Sequence, residues 1–341
     1  MERTWRVQNG NLRKPDWLTV RVPGGEIFHD VKGLVRNYNL HTVCEEAHCP
    51  NIGHCWERRS ATFLIMGDTC TRSCGFCAIK TGRPAPLDPM EPLHVAEAIR
   101  ILGLRHAVIT SVNRDELPDG GAEHFARTIR ATRQRTQETI IEVLIPDFEG
   151  NADSLRKVVE AKPDVINHNL ETVKRLYPQV RPQAKYRRSI ELLRRVKEMD
   201  PALGTKSGIM VGLGERDEEV LELMRDLREV DCDVMTIGQY LRPSRDHLPV
   251  IEYIPPEKFS YYREKGMEMG FVDIASGPLV RSSFHAEDVF HREAILKRLN
   301  GRLHTSPILP LPSPRAGRSE DATENDRSVA TPVATKTCRF Y

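Results

Sequence analysis

Phe63-Leu-Ile-Met-Gly-Asp-Thr-Cys70-Thr-Arg-Ser-Cys74-Gly-Phe-Cys77 couples a short apolar run to three closely spaced cysteines. The run reads as a strand, and the same kind of run recurs along the chain: His106-Ala-Val-Ile-Thr110, Ile140-Ile-Glu-Val-Leu-Ile145, Val165-Ile-Asn-His-Asn169, Ser207-Gly-Ile-Met-Val-Gly212, Val234-Met-Thr-Ile-Gly238 and Phe271-Val-Asp-Ile-Ala275. Between the runs the apolar spacing turns helical. Tyr186, Ile190, Leu193 and Val196 keep one face of a helix, as do Val220, Met224 and Leu227 of another. Strand–helix alternation builds right-handed βαβ units on a parallel sheet. Six or so units predict an α/β fold, a partial (β/α)6-type barrel of the TIM-barrel kind. A doubly wound sheet is the alternative, although no Rossmann-type glycine fingerprint follows the first run.

The runs end in small or polar residues: Thr110-Ser-Val-Asn113, Asn167-His-Asn-Leu-Glu171, Gly212-Leu-Gly-Glu215 and Gly238-Gln-Tyr240. A barrel gathers its active site at these strand ends. Cys70, Cys74 and Cys77 follow the first run and belong to the same face. Thiolates at such spacing can converge on one soft metal centre, an iron–sulfur cluster, zinc or Cu(I). A cubane cluster has four irons, so three thiolates leave one open, and an open position marks catalytic rather than structural sites. A structural zinc knuckle completed by a nearby His is the bland alternative. A second triplet, Cys44-x4-Cys49-x5-Cys55, precedes the first run.

Composition sets the outer bounds. At 341 residues, 39% hydrophobic and 6% aromatic, the chain fills one large α/β domain with appendages. Lys and Arg number 50 against 48 Asp and Glu, a formal charge of +2 that argues for neither a nucleic-acid partner nor a membrane surface. No apolar run approaches the roughly 20 residues of a membrane span. Residues 1–17 hold no apolar signal core and carry Glu2 and Asp16, so neither a secretory signal nor a transit peptide is expected. Eight cysteines, most of them clustered, suit metal-binding thiols in a reducing cytoplasm better than a secreted disulfide scaffold. The organisation reads as an irregular, cluster-bearing extension (1–60), the barrel (61–280), a capping segment and helix (281–305), and a tail (306–341). That tail is rich in Pro, Ser, Thr and charge and is expected to be disordered.

In context the Cys70 triplet resembles the signature of the radical S-adenosylmethionine (radical SAM) enzymes, Cys-x3-Cys-x2-Cys with an aromatic residue before the last Cys, here Phe76. Cys44-Glu-Glu-Ala-His-Cys49-Pro-Asn-Ile-Gly-His-Cys55-Trp looks like the auxiliary-cluster motif of the lipoyl synthase family. Further blocks resemble that family's, in its order: Ser111-Val-Asn-Arg-Asp-Glu-Leu-Pro-Asp-Gly-Gly121, Asn167-His-Asn-Leu-Glu-Thr172, Lys206-Ser-Gly-Ile-Met-Val-Gly-Leu-Gly-Glu215, Gln239-Tyr-Leu-Arg-Pro-Ser244 and Gly277-Pro-Leu-Val-Arg-Ser-Ser-Phe-His-Ala286. Any one glycine-rich block is weak, but together they are specific.

The resemblance implies two 4Fe–4S clusters and S-adenosylmethionine as cofactors. Cys70, Cys74 and Cys77 would hold the cluster whose fourth iron binds the amine and carboxylate of S-adenosylmethionine. One electron then splits off a 5′-deoxyadenosyl radical. Cys44, Cys49 and Cys55 would hold the auxiliary cluster. Two radicals in turn remove hydrogen from C6 and C8 of an octanoyl chain on a carrier lysine, and the carbon radicals take sulfur from the auxiliary cluster, which is consumed. Implied partners are octanoylated lipoyl carrier domains (2-oxoacid dehydrogenase acyltransferase subunits and the glycine cleavage H protein), an electron donor such as ferredoxin or flavodoxin, and a cluster-reassembly protein. The family's Arg-Ser-Ser-Tyr motif supplies a serine ligand. Arg281-Ser-Ser-Phe284 corresponds and assigns Ser283, with Phe284 lacking the usual hydroxyl. Read without the family, Ser283 is a helix N-cap before Glu287 and Asp288.

Asn113, Asn169 and Glu171, at strand ends, are candidate contacts to the ribose or methionine moiety of S-adenosylmethionine, with strand-end capping as the alternative. His48 and His54 interleave with the first triplet, where exposed loop histidines are the common case. Cys232 reads as a small buried hydrophobe, and Cys338 as an idle tail thiol. Arg187, Arg188, Arg194 and Arg195 lie opposite an apolar stripe, either as a solvated helix face or as a dock for an acidic carrier domain.

Overall fold

A computed structural model describes residues 13–21, 24–283 and 337–338. Eight strands form its main sheet: β1 (His41–Thr42), β2 (Thr62–Ile65), β3 (His106–Ser111), β4 (Ile140–Leu144), β5 (Val165–Asn167), β6 (Gly204–Val211), β7 (Val234–Gln239) and β8 (Asp273–Gly277). They lie side by side in chain order, with β1 antiparallel at one edge and every other neighbour parallel. A doubly wound sheet reverses its order at a switch point. Here the order never reverses, so the barrel reading holds. Among the described residues no pairing joins β8 to β1 or β2, and the barrel is open.

Six crossovers link the parallel strands. Their helices are α4 (Glu91–Leu102), α5 (Ala122–Arg135), α6 (Ala152–Glu160), the pair α7 (Tyr177–Val180) and α8 (Tyr186–Met199), α9 (Asp217–Glu229) and α10 (Pro256–Glu268). The expected faces pack inward: Tyr186, Leu193 and Val196 of α8 are buried, as are Val220, Met224 and Leu227 of α9. Helices on the outside and side chains within leave the strands buried on both faces, as parallel sheets require.

One polar layer lies inside the barrel. Glu142 of β4 reaches across to Lys206 of β6, whose Nζ donates to both carboxylate oxygens at 2.9 and 3.2 Å. Asn167 Nδ2 donates to the same carboxylate at 2.9 Å, and His106 Nε2 lies 3.1 Å away. Burial alone would raise the Glu142 carboxyl, yet Lys206 and His106 pull it down to about 2.

The N-terminal extension departs from expectation. Where irregular chain was expected, α1 (Glu26–Asn37), α2 (Val43–Glu46) and α3 (Ile52–Glu57) form. Phe28, Val31 and Val35 fall at helical spacing and are buried, with the Phe28 and Trp56 ring centroids 5.0 Å apart. The stripe is only three residues wide, which is why the pattern is faint. The β1 strand then joins this extension to the barrel sheet through His41↔Leu64 and Thr42↔Phe63. The helix expected within 281–305 and most of the 306–341 tail lie outside the described residues. Within the tail, Thr337–Cys338 pairs antiparallel with Val20–Arg21, so this short piece is ordered by strand pairing rather than loose.

Candidate functional site

The loop carrying Cys70, Cys74 and Cys77 leaves β2 at the C-terminal face and is clamped from several sides. Its ends are tied by a two-residue parallel pairing of Thr69–Cys70 with Lys80–Thr81. Gly75 N donates to the Val180 carbonyl and Gly75 O accepts from Leu248 N, both at 3.0 Å. A Cβ at Gly75 would lie 2.9–3.0 Å from the Leu248 side chain, which would have to move aside. His247 Nε2 reaches the Cys77 carbonyl at 3.0 Å. Arg72, between two of the cysteines, is buried. Its guanidinium donates twice to Asp115 at 2.8 Å and once to Asp147 at 2.7 Å, and Asp147 also accepts from Arg188 at 3.1 Å. Paired, bidentate charges of this kind fix a loop where an unpaired buried arginine would not be tolerated.

This loop forms one wall of a cavity of about 410 Å³ at the C-terminal strand ends. Cys70, Cys74 and Cys77 line it, and so do Cys44 and Cys49 from the N-terminal extension and Ser283 from the C-terminal segment. Of the seven sulfur or serine candidates only Cys55 is off the lining. It lies half-buried on α3 and packs against the core. Chain ends far apart in sequence meet here: Asn51 Nδ2, in the first triplet's loop, donates to the Leu279 carbonyl at 2.8 Å. Burial pushes the Cys44 and Cys77 thiols up to about 12 and raises Cys49 and Cys74 as well. The Cys70 sulfur faces three N–H groups: Asn113 N at 3.3 Å, Asn113 Nδ2 at 3.7 Å and Arg72 N at 3.4 Å. Donors of this kind hold and tune a metal-bound thiolate. Among the described residues no three His, Cys, Asp or Glu side chains group tightly enough for a single ion. Five of the thiols line the cavity around a shared space.

Asn113, Asn169 and Glu171 all line the same cavity. Asn169 Nδ2 donates to Glu171 at 3.1 Å, and the Oδ1 atoms of Asn113 and Asn169 are buried without a partner. Buried polar atoms without a partner are uncommon, and these two are acceptors in a cavity wall. Glu171 has φ 65°, a left-handed conformation that costs a non-glycine residue roughly 1–2 kcal/mol. It is held there by Glu171 N to Gly208 O and Met210 N to Glu171 O, both 2.9 Å. Gly208 must stay bare, because a Cβ would run into Thr236 and Asn169. Burial raises the Glu171 carboxyl against the pull of Arg181.

Two arginines were given no role in the sequence reading. Arg181 donates to the Asn169 carbonyl at 2.7 Å, while its buried Nε has no partner. Arg281 sits beside Cys49 and Glu171, and burial lowers its pKa. Both line the cavity, so the surface they expose faces it. Arg181 was legible only as one of a run of cations; its Arg-Pro step before α8 was the available signal. The dock proposed for Arg187, Arg188, Arg194 and Arg195 is mostly spent internally. Arg188 holds Asp147, Arg194 pairs with Glu191 and Glu198, and Arg195 binds Glu191 and the Gly150 carbonyl. His48 lines the cavity, whereas His54 is exposed; Cys232 is buried.

Comparison with known proteins finds relatives along most of the chain. Residues 64–227 match the radical SAM superfamily, and residues 1–49 match the N-terminal domain of lipoyl synthase of the radical SAM family. A lipoyl synthase of Rubrobacter xylanophilus is 58% identical over 284 residues, covering 83% of this chain and 88% of the relative. One from Caldanaerobacter subterraneus subsp. tengcongensis is 60% identical over 276 residues, covering 81% and 96%. In fold alone, the chain resembles Streptococcus suis SuiB bound to precursor peptide SuiA, with a TM-score of 0.51 at 10% identity over 73% of this chain and 52% of that one. Among the described residues no helix is long and apolar enough to cross a membrane. With identity above half along four-fifths of its length, and cysteines of both triplets lining one cavity, the chain belongs to the lipoyl synthase family of radical SAM proteins.

Proposed function

We propose that this protein makes the lipoyl group by inserting sulfur at C6 and C8 of an octanoyl chain carried on a protein lysine. The observation that carries the reading is that thiols of both triplets line one cavity. When bound, a 4Fe–4S cluster with S-adenosylmethionine supplies a radical able to take hydrogen from unactivated carbon, and an auxiliary 4Fe–4S cluster supplies sulfur. Cys70, Cys74 and Cys77 are the ligands of the first, and Cys44, Cys49, Cys55 and Ser283 those of the second. Soft thiols plus one hard oxygen make a site that releases one iron more readily than the others.

The remaining side chains bind, orient and exclude water. Asn113, Asn169 and Glu171 offer acceptors to the ribose and amine of S-adenosylmethionine, and Arg181 offers its unpaired N–H to the carboxylate. Val43, Leu64, Ile79, Leu144, Ile209 and Met210 give the wall an apolar stretch for the octanoyl chain, worth about 0.8 kcal/mol per methylene buried. Holding acyl carbon and sulfur source in one cavity supplies proximity, which lowers a barrier by up to about 7–11 kcal/mol. The acyl carriers are lipoyl domains of 2-oxoacid dehydrogenases and the glycine cleavage H protein, in a reducing cytoplasm that keeps the thiols available. A ferredoxin or flavodoxin serves as donor, and a further protein rebuilds the auxiliary cluster.

The test is one turnover of anaerobically reconstituted protein with reductant, S-adenosylmethionine and an octanoyl-lysyl peptide. A peptide gaining two sulfurs while the auxiliary cluster is lost is the expected result. Deoxyadenosine without sulfur in the peptide would reject the sulfur-insertion reading, and neither product would reject both.

A further inference from the structure

We propose that the solvent side of the Cys70, Cys74 and Cys77 loop, flanked by Lys80, Arg83, Lys185, Arg187 and Arg245, is the docking face for an acidic electron-carrier protein. This deepens the proposed function and rests on it. The donor loses one electron, and the cluster held by this loop gains it. Substrate and S-adenosylmethionine fill the cavity during reaction, so a protein reductant must deliver its electron through the outer wall.

At this loop the cavity lining and the outer surface are neighbours in the chain. Ser73 is solvent-exposed while its neighbour Cys74 lines the cavity, so a single backbone separates the two. Three segments are bonded to the loop's flanks. Lys80–Thr81 pairs with Thr69–Cys70. Gln183 Nε2 donates to Ser73 Oγ at 3.0 Å. His247 reaches Cys77 O at 3.0 Å and Leu248 reaches Gly75 O at 3.0 Å.

Each flanking segment carries exposed cations: Lys80 and Arg83, Lys185 and Arg187, and Arg245. Lys80 has Asp68 nearby, and Asp246 follows Arg245. The other carboxylates at the loop, Asp115 and Asp147, are turned inward onto Arg72. Five exposed cations on segments tied to one loop outnumber Asp68 and Asp246, so the charge about the loop is positive. None of the large exposed apolar side chains lies on these segments. A small, polar, charged patch fits a transient redox encounter steered by electrostatics rather than a stable interface.

The test is stopped-flow bleaching of the reconstituted cluster by photoreduced flavodoxin, compared with photoreduced 5-deazariboflavin, a small uncharged reductant. Charge reversal (K80E/R83E/K185E/R187E/R245E) should slow the flavodoxin reaction at least tenfold at low salt and reverse its salt dependence, so that added salt speeds it. Reduction by deazariboflavin should not change. The neutral variant K80Q/R83Q/K185Q/R187Q should lie between, and it decides the matter if reversal damages the cluster. Unchanged flavodoxin rates in both variants overturn the proposal. It is also overturned if those rates hold while turnover of an octanoylated carrier domain, driven by deazariboflavin, falls, because the face would then serve the carrier. A wild-type cluster with no spectral response to S-adenosylmethionine would instead reject the function on which this rests.

Discussion

Substituting Gly238 by alanine tests how the C-terminal segment is placed over the cavity. Gly238 lies near the end of β7, and the backbone of Val280 crosses directly above it. An added Cβ would overlap the Val280 carbonyl oxygen, with Val280 C at 3.1 Å and Arg281 Nη1 at 3.2 Å. Strand β7 cannot yield, because Gly238 pairs with Met210 on one side and Gly277 on the other. The crossing segment must retreat by about 1 Å, an overpacking that costs about 1–3 kcal/mol. Retreat breaks the contact of Asn51 with the Leu279 carbonyl and draws Ser283 from the cavity wall. Calorimetry should find Tm lowered by roughly 2–10 °C. Iron and sulfide analysis should find the auxiliary cluster depleted and the barrel cluster, with its response to S-adenosylmethionine, retained. Gly33→Ala is the control: its Cβ meets nothing within 4 Å inside helix α1, so it should stabilise by about 0.4–1 kcal/mol. A G238A protein that keeps both clusters and its Tm would refute this account of Ser283's position. Equal loss of both clusters would refute it too, by showing that the strand gave way.

Other perturbations act on the barrel and its charges. Asp147→Asn leaves Arg72 and Arg188 one anion short around a buried position, so urea titration should read a loss of about 3 kcal/mol, the low end for a broken buried pair because Arg188 can turn outward. Glu142 titrates lower in the folded protein than unfolded, so its contribution is present above pH 4.5 and lost as the pH falls toward 2. That drop is about 3 kcal/mol at 1.36 per pKa unit, and Glu142→Gln should remove this part of the acid limb in a pH series of unfolding curves. Arg181→Met should weaken S-adenosylmethionine binding by roughly 10–100-fold in calorimetric titration, the worth of a charged hydrogen bond of about 1.5–3 kcal/mol, without changing cluster content.

Legibility in the sequence followed signal length. Seven parallel strands repeated one pattern, so the barrel could be read; the observed β8 lies only two residues beyond the expected run. Helix α1 rests on a stripe of Phe28, Val31 and Val35 and was missed. Cysteines announce themselves by chemistry and spacing, and five of the six line one cavity. The clamps did not announce themselves. Gly75, Gly238 and His247 act through atoms more than 40 residues away, and no local pattern encodes a neighbour brought in by the fold. Arg181 and Arg281 were hidden for a similar reason: in sequence a cation is a surface residue until something buries it.

Arg281 offers a prediction whose sign depends on occupancy. Its guanidinium hydrogen-bonds to the Val280 carbonyl at 2.7 Å, and the acidic side chains that act on it are Cys49 and Glu171. Burial raises the pKa of both partners, so without a cluster the Cys49 thiol keeps its proton and leaves the buried cation poorly offset. A bound cluster requires Cys49 as a thiolate, and the same cation then faces a fixed negative centre. Arg281→Met should therefore raise Tm in the metal-free protein and lower it in the reconstituted one. Scanning calorimetry on both forms reads the two shifts directly. Shifts of the same sign would mean that Arg281 acts through packing rather than charge, and the argument for its place beside the auxiliary cluster would fail.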